Sequence, residues 1–191
     1  MLSSGRILAR KTRRKGVTIA MNTMEAIKAR RSIRSFNANP VEEEKLQAIL
    51  EAGACAPNGA GLAVFYTVVS GDSLEAVKGK AAVAMKKEEG FDPFFGAQTA
   101  IFMSAAPHPL GIDVANAACS AENMMIAATD LGVGSIYLLG FLAGILNSDE
   151  TFPSFLGLDE GQKPILCLAI GYTDNPPAPR EVAIKNVVYL K

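Results

Sequence analysis

The chain has 191 residues, enough for one domain or one domain with a tail. It is apolar for that size, 49% hydrophobic against 20% charged, with a mean hydropathy of +0.20. Formal charge is zero, but six of its 19 Lys and Arg fall in the first 20 residues, leaving 13 bases against 19 acids, a net of −6. A mildly acidic body argues against a nucleic-acid surface. No uncharged apolar run is long enough to cross a membrane.

The basic leader, residues 1–20, lacks an apolar stretch of useful length and is a poor secretory signal. A transit-like segment, a tag and a misassigned upstream start are all open, and we favour the last. The working division is a peripheral extension, 1–20, and a domain, 21–191. Cys55, Cys119 and Cys167 are far apart and odd in number, and His108 is the one histidine, so a disulfide framework and a zinc site are both disfavoured. A reducing cytoplasm is the simplest location.

Asn22 and Glu25 form a capping-box signature that opens a helix running to about Arg31. Arg30, Arg31, Ser32 and Arg34 follow at its end. In a last helical turn these guanidinium groups would repel one another by roughly 0.2–0.5 kcal/mol per pair. Two readings fit equally: a clamp for an anion such as phosphate, whose oxygens match Arg forks and a Ser hydroxyl, or a solvated basic face at a helix C-terminus.

Pro40 and Glu42-Glu43-Glu44 open a second helix, buried through Leu46, Ile49, Leu50 and Gly53. Ala56 to Gly61 is a loop, and Val64 to Val69 a strand. Asp72 starts a third helix, with Leu74, Val77, Ala81 and Ala84 on its apolar side. Phe91, Phe94 and Phe95 occupy a loop, as a lid or as core. Thr99 to Ser104 is a strand. Ile112 to Leu131 is the longest helix, small and apolar almost all round, and hence buried on most sides. Ser135 to Leu139 is a third strand. Phe141 to Leu158 is one or two short helices broken near Pro153. Ile165 to Ile170 is a nearly all-apolar central strand, and Val187 to Leu190 a last short strand. The expected fold is α+β, a mostly antiparallel or mixed sheet of four to five strands flanked by helices.

Catalytic motifs are missing. There is no GxSxG and no P-loop, and Gly132-Val133-Gly134 meets Tyr137 where a third Rossmann glycine would fall. Asp113, Glu122 and Asp130 are not a tight carboxylate pair. His108, between two prolines, reads as a surface-loop residue. A phosphate clamp without catalytic side chains suggests that a cofactor carries the chemistry.

Several segments together resemble the FMN-dependent nitroreductase family in its short form. They are Arg30 to Phe36, Ala56-Pro57-Asn58-Gly59 with its strand, Phe95-Gly96-Ala97, Asp113 through Ser135, Pro164 to Gly171, and Pro176 to Arg180. Their order and spacing carry the resemblance over about 21–191. It implies a nitroreductase-like fold and an intertwined homodimer with FMN at the interface. Arg30, Arg31, Ser32, Arg34 and Arg180 would hold the phosphate. Pro57, Asn58 and Gly59 would line the ring from across the interface. Backbone amides near Leu139 and Gly140 would face flavin N5, and the C-terminal segment would reach over the partner.

The implied reaction is ping-pong, a hydride passing from NADH or NADPH to the flavin and on to a nitroaromatic, quinone or similar small acceptor. No side chain would be catalytic. Where the family shows Asn and then Gln-Pro-Trp, this chain has Gly61 and Ala63-Val64-Phe65. That implies a looser ring seat or a larger acceptor pocket. It keeps open an alternative, a flavin-binding storage or sensing protein on the same fold. A basic-armed interaction protein using residues 6–15 is a third reading, disfavoured by the acidic body.

Overall fold

Leu166, Cys167, Leu168, Ala169 and Ile170 are all fully buried, and the rest of the domain is layered around them. The structure, a computed structural model, describes residues 21–88, 90–178 and 181–190. The leader 1–20 and Arg180 lie outside the described residues. Within them are α1 (Thr23–Ala29), α2 (Glu43–Ala54), β1 (Phe65–Ser70), α3 (Gly71–Ala84), β2 (Thr99–Ala105), α4 (Ile112–Asp130), β3 (Gly134–Leu138), α5 (Gly140–Ser148), α6 (Phe152–Phe155) and β4 (Lys163–Gly171). None of the described helices is long and apolar enough to cross a membrane.

The strands form one antiparallel sheet in the order β1-β2-β4-β3. β4 is central because its side chains are apolar on both faces, as a strand covered twice requires. Alternation along the strand sends Leu166, Leu168 and Ile170 to one side, where Ile49 of α2 and Ala117, Ala121 and Met124 of α4 cover them. Cys167 and Ala169 point the other way, toward Leu74 and Val77 of α3, Phe141 and Ile145 of α5, and Phe152 of α6. The result is three layers, with helices on both faces of the sheet. Helices α2 and α4 approach closely at Gly53, where an added Cβ would run into Met124 and lie 2.9 Å from Ser120 Oγ.

Three local expectations are corrected. The capping box forms between Asn22 and Glu25, but α1 stops at Ala29, and Arg30 is already extended at ψ 127°. The chain leaves the helix because Ser32 forms a parallel bridge to Ser135 and the Ile33 amide donates to the Ser135 carbonyl at 3.0 Å. A backbone bond to the sheet edge replaces another helical turn. The Arg residues therefore lie on an extended segment, and the repulsion argued for a helical turn does not apply.

The helical break expected near Pro153 falls earlier, between Ser148 and Phe152, and Pro153 sits in the first turn of α6, where its missing N–H costs nothing. Val187 to Leu190 is not a strand. Residues 181–190 have no ladder partner among the described residues, and a strand needs one. The sheet has four strands among the described residues.

Candidate functional site

The Arg segment runs along the outer edge of β3, and its three guanidinium groups have different surroundings. Arg30 Nε lies 3.3 Å from Glu122 Oε1 on α4, with the Arg30 side chain 16% exposed. Arg31 Nη1 donates to the carbonyl of Ala178. Arg34 is exposed, with no ion-pair or hydrogen-bond partner among the described residues.

Ser135, opposite Ser32, is 1% exposed, and its hydroxyl has no hydrogen-bond partner among the described residues. Strand alternation puts it on the same face as Tyr137, toward α4. An unmet buried hydroxyl costs about 1–3 kcal/mol. Arg31, Ile33, Gly132, Ser135, Tyr172 and Pro177 line a cleft of about 260 Å3 here. That is below the roughly 300–1,000 Å3 of a site for a whole drug-sized ligand.

The far wall of this cleft is the strap 172–178. Tyr172 accepts a hydrogen bond from Lys45 Nζ at 2.6 Å and donates to Glu42. Lys45 also lies 3.3 Å from Glu42 Oε2 and 5.0 Å from the Tyr172 ring centroid. The Tyr172 hydroxyl, more than Lys45, holds the Glu42 carboxyl below its usual range, and the same hydroxyl raises Lys45. Asn37 completes the tether, its amide bonding the Tyr172 carbonyl and its Nδ2 bonding Asp174 Oδ1, both at 2.8 Å.

Pro57, Asn58 and Gly59 are exposed and sit at the other end of α4. The residue that holds them is Asn116, buried in the first half of α4 and not singled out in the sequence. Its Oδ1 accepts from the Gly59 amide at 2.9 Å. Its Nδ2 contacts Asn58 Oδ1 at 2.9 Å, the Gly59 carbonyl at 3.1 Å and the Leu62 carbonyl at 3.2 Å. Asn116 is one of several polar residues on α4, and nothing in chain order tied it to a loop 57 residues earlier. Beyond the loop, Ala60 and Gly61 both have left-handed backbones, φ 56° and 64°.

Leu139 and Gly140 lie past the C-terminal end of β3. Leu139, half exposed, is the N-cap of α5 and makes no side-chain capping bond. The first amides of α5 therefore have no intrahelical acceptor, and they sit at its positive end. Of the three phenylalanines read as lid or core, Phe94 is fully buried, edge-on to Phe141 at 5.1 Å. Phe91 is half-buried, and Phe95 is 37% exposed with φ 57°.

Arg31, Ser32 and Ser135 thus converge beside the C-terminal half of α4, while Pro57, Asn58 and Gly59 gather at its N-terminal end. Asn116 and Asp130 are 14 residues apart, about 21 Å along a helix. The two groups also belong to opposite sheet edges, β3 and β1, separated by three strand spacings, roughly 14 Å. One chain does not bring them together.

The family model described as Nitroreductase family matches residues 27–172. The chain belongs to the nitroreductase family. A nitroreductase with bound FMN from Bacteroides fragilis is 28% identical, with a TM-score of 0.77, over 90% of this chain and 100% of that one. A second, with bound FMN, from Desulfitobacterium hafniense is 25% identical with a TM-score of 0.78 over the same shares. The NADPH-flavin oxidoreductase of Vibrio harveyi is 26% identical over 178 residues, 82% of this chain and 68% of that protein. For a nitroreductase-family chain, the donor set at the β3 edge suits a phosphate ester. Arg forks and hydroxyls are its usual partners.

Proposed function

We propose that two copies of this chain together form each site of an FMN-dependent NAD(P)H oxidoreductase. The observation that carries the reading is the division of the site. Phosphate-type donors lie on one sheet edge and the ring-facing loop on the other, so a single small cofactor reaches both only if a second copy supplies one of them. Arg31, Ser32 and Arg34 hold the phosphate, joined by Arg180. Pro57, Asn58 and Gly59 of the other copy line the ring. Arg30, tied to Glu122, fixes the start of the segment and lends its charge from one side.

FMN, when bound, supplies hydride transfer from NADH or NADPH to an acceptor such as a nitroaromatic or quinone, one substrate leaving before the next enters. The chain's own groups bind, orient and shield. The amides of Gly140 and Phe141 at the positive end of α5 stabilise negative charge that develops near them. No titrating side chain is required, which accounts for the missing acid–base set. The exposed apolar tail, with Ile184, Val188, Tyr189 and Leu190 each more than four-fifths uncovered, reaches over the partner and shuts out water.

The purified protein is expected to be yellow, to release FMN on denaturation and to consume NAD(P)H with menadione or a nitrofuran. A flavin that stays oxidised under excess NAD(P)H would reject turnover and leave the storage or sensing reading in its place.

A further inference from the structure

Asn58 is exposed on the loop that meets the ring, and its side-chain amide has two different ends, one that donates and one that accepts. Which end faces outward is decided by Asn116, only 5% exposed. The Gly59 amide can only donate, so the Asn116 atom 2.9 Å away is its oxygen. The carbonyls of Gly59 and Leu62 can only accept, so the Asn116 atom facing them at 3.1 and 3.2 Å is its nitrogen. Three backbone groups therefore orient Asn116 without reference to Asn58. The Asn116 nitrogen also faces Asn58 at 2.9 Å, so the Asn58 atom it meets must be the oxygen. The Asn58 NH2 group is left pointing away, with no partner among the described residues.

We infer that Asn116 is a positioning residue that sets the polarity of Asn58, so that the loop offers the flavin ring an N–H donor. This rests on the reading above that loop 57–59 lines the ring. The ligand atom it fits is a ring carbonyl oxygen, an acceptor in both redox states. The bracing also explains how the loop keeps Ala60 in a left-handed backbone, φ 56°. Strain of that kind persists only where surrounding contacts over-determine the backbone. A donor aimed at a ring acceptor favours the electron-rich, reduced form, so the inference has a sign.

The test uses the full-length protein with FMN bound and reads the flavin reduction midpoint potential in wild type, Asn58→Ala, Asn116→Asp and the double variant. Asp at 116 accepts from the Gly59 amide but cannot donate to Asn58, so Asn58 turns its NH2 inward and its oxygen outward. Asn58→Ala is expected to lower the midpoint and weaken FMN binding up to roughly tenfold, the scale of one hydrogen bond. Asn116→Asp is expected to lower the midpoint as well, through its charge and through Asn58, and to lower it by less in the Asn58→Ala background, because the part that runs through Asn58 is then gone. A midpoint that rises or does not move in Asn58→Ala overturns the inference, and so does a double variant in which the two shifts add. Asn58 is exposed, so the sign of its own variant decides the matter even if Asn116→Asp fails to fold. A colourless wild-type protein would instead sink the flavin reading itself.

Discussion

Arg30, Arg31 and Arg34 look interchangeable in the sequence, and the fold gives each a different task. Arg30 pairs with Glu122, Arg31 gives one N–H to the Ala178 carbonyl and keeps the others, and Arg34 has no partner among the described residues. Arg34→Ala is therefore expected to weaken FMN by about 1.5–3 kcal/mol, the value of a hydrogen bond to a charged group. A fluorescence titration of FMN into stripped protein checks this, and unchanged affinity would remove Arg34 from the phosphate site. Arg30→Ala is expected to cost less affinity, since Arg30 is already paired with Glu122 and reaches the phosphate only through its charge. Residue types alone left two readings equally open, an anion clamp and a solvated basic face. The division of labour was not legible in them, because it depends on a bridge to Ser135, more than 100 residues away, which no local propensity encodes.

At the level of elements, the long periodic segments and apolar runs were legible because burial imposes them locally. The stripe of α4 and the doubly apolar β4 could hardly be placed elsewhere. Element ends were less so: α1 yields its last turn to the sheet edge, and Val187 to Leu190 has strand-like composition but no neighbour to pair with. The layer under β1 and β2 has its own electrostatic tie. Asp149, closing α5, accepts from Lys80 of α3 at 2.6 Å and from the Thr151 hydroxyl at 2.6 Å. The Lys80 bond, followed by that of Thr151, holds the Asp149 carboxyl at about 2, below its ordinary 3.8. A depressed carboxylate stabilises the fold above its unfolded value and loses that contribution as pH falls through the folded one. Asp149→Asn should thus melt lower than wild type at pH 6, with the two curves converging as pH drops from about 4 toward 2. A gap in melting temperature that stays constant across that range would show that the pair does not couple α3 to α5.

For the whole molecule the governing fact is apolar surface that none of the described residues covers. Met24, Leu110, Val114 and Leu139 are half exposed or more, and the 181–190 segment adds Val182, Ile184, Val187, Val188, Tyr189 and Leu190. Surfaces of this kind on a soluble domain mark interaction sites, and a stable interface buries on the order of 1,200–2,000 Å2. The surplus was visible in composition, but its location needed the fold, because exposure is a property of packing and not of residue type. Deleting residues 181–191 separates two explanations. In the proposed dimer the tail covers the partner and helps to close its site, so the truncated protein should sediment as monomer and lose most of its FMN together. A truncated protein that stays dimeric and yellow would show that the tail covers neither interface nor cofactor. One that becomes monomeric yet keeps FMN would be more damaging, because a single chain would then bind the cofactor without the partner's loop. Sedimentation velocity and the visible spectrum of the same sample distinguish these results, since the divided site requires assembly and flavin content to fall together.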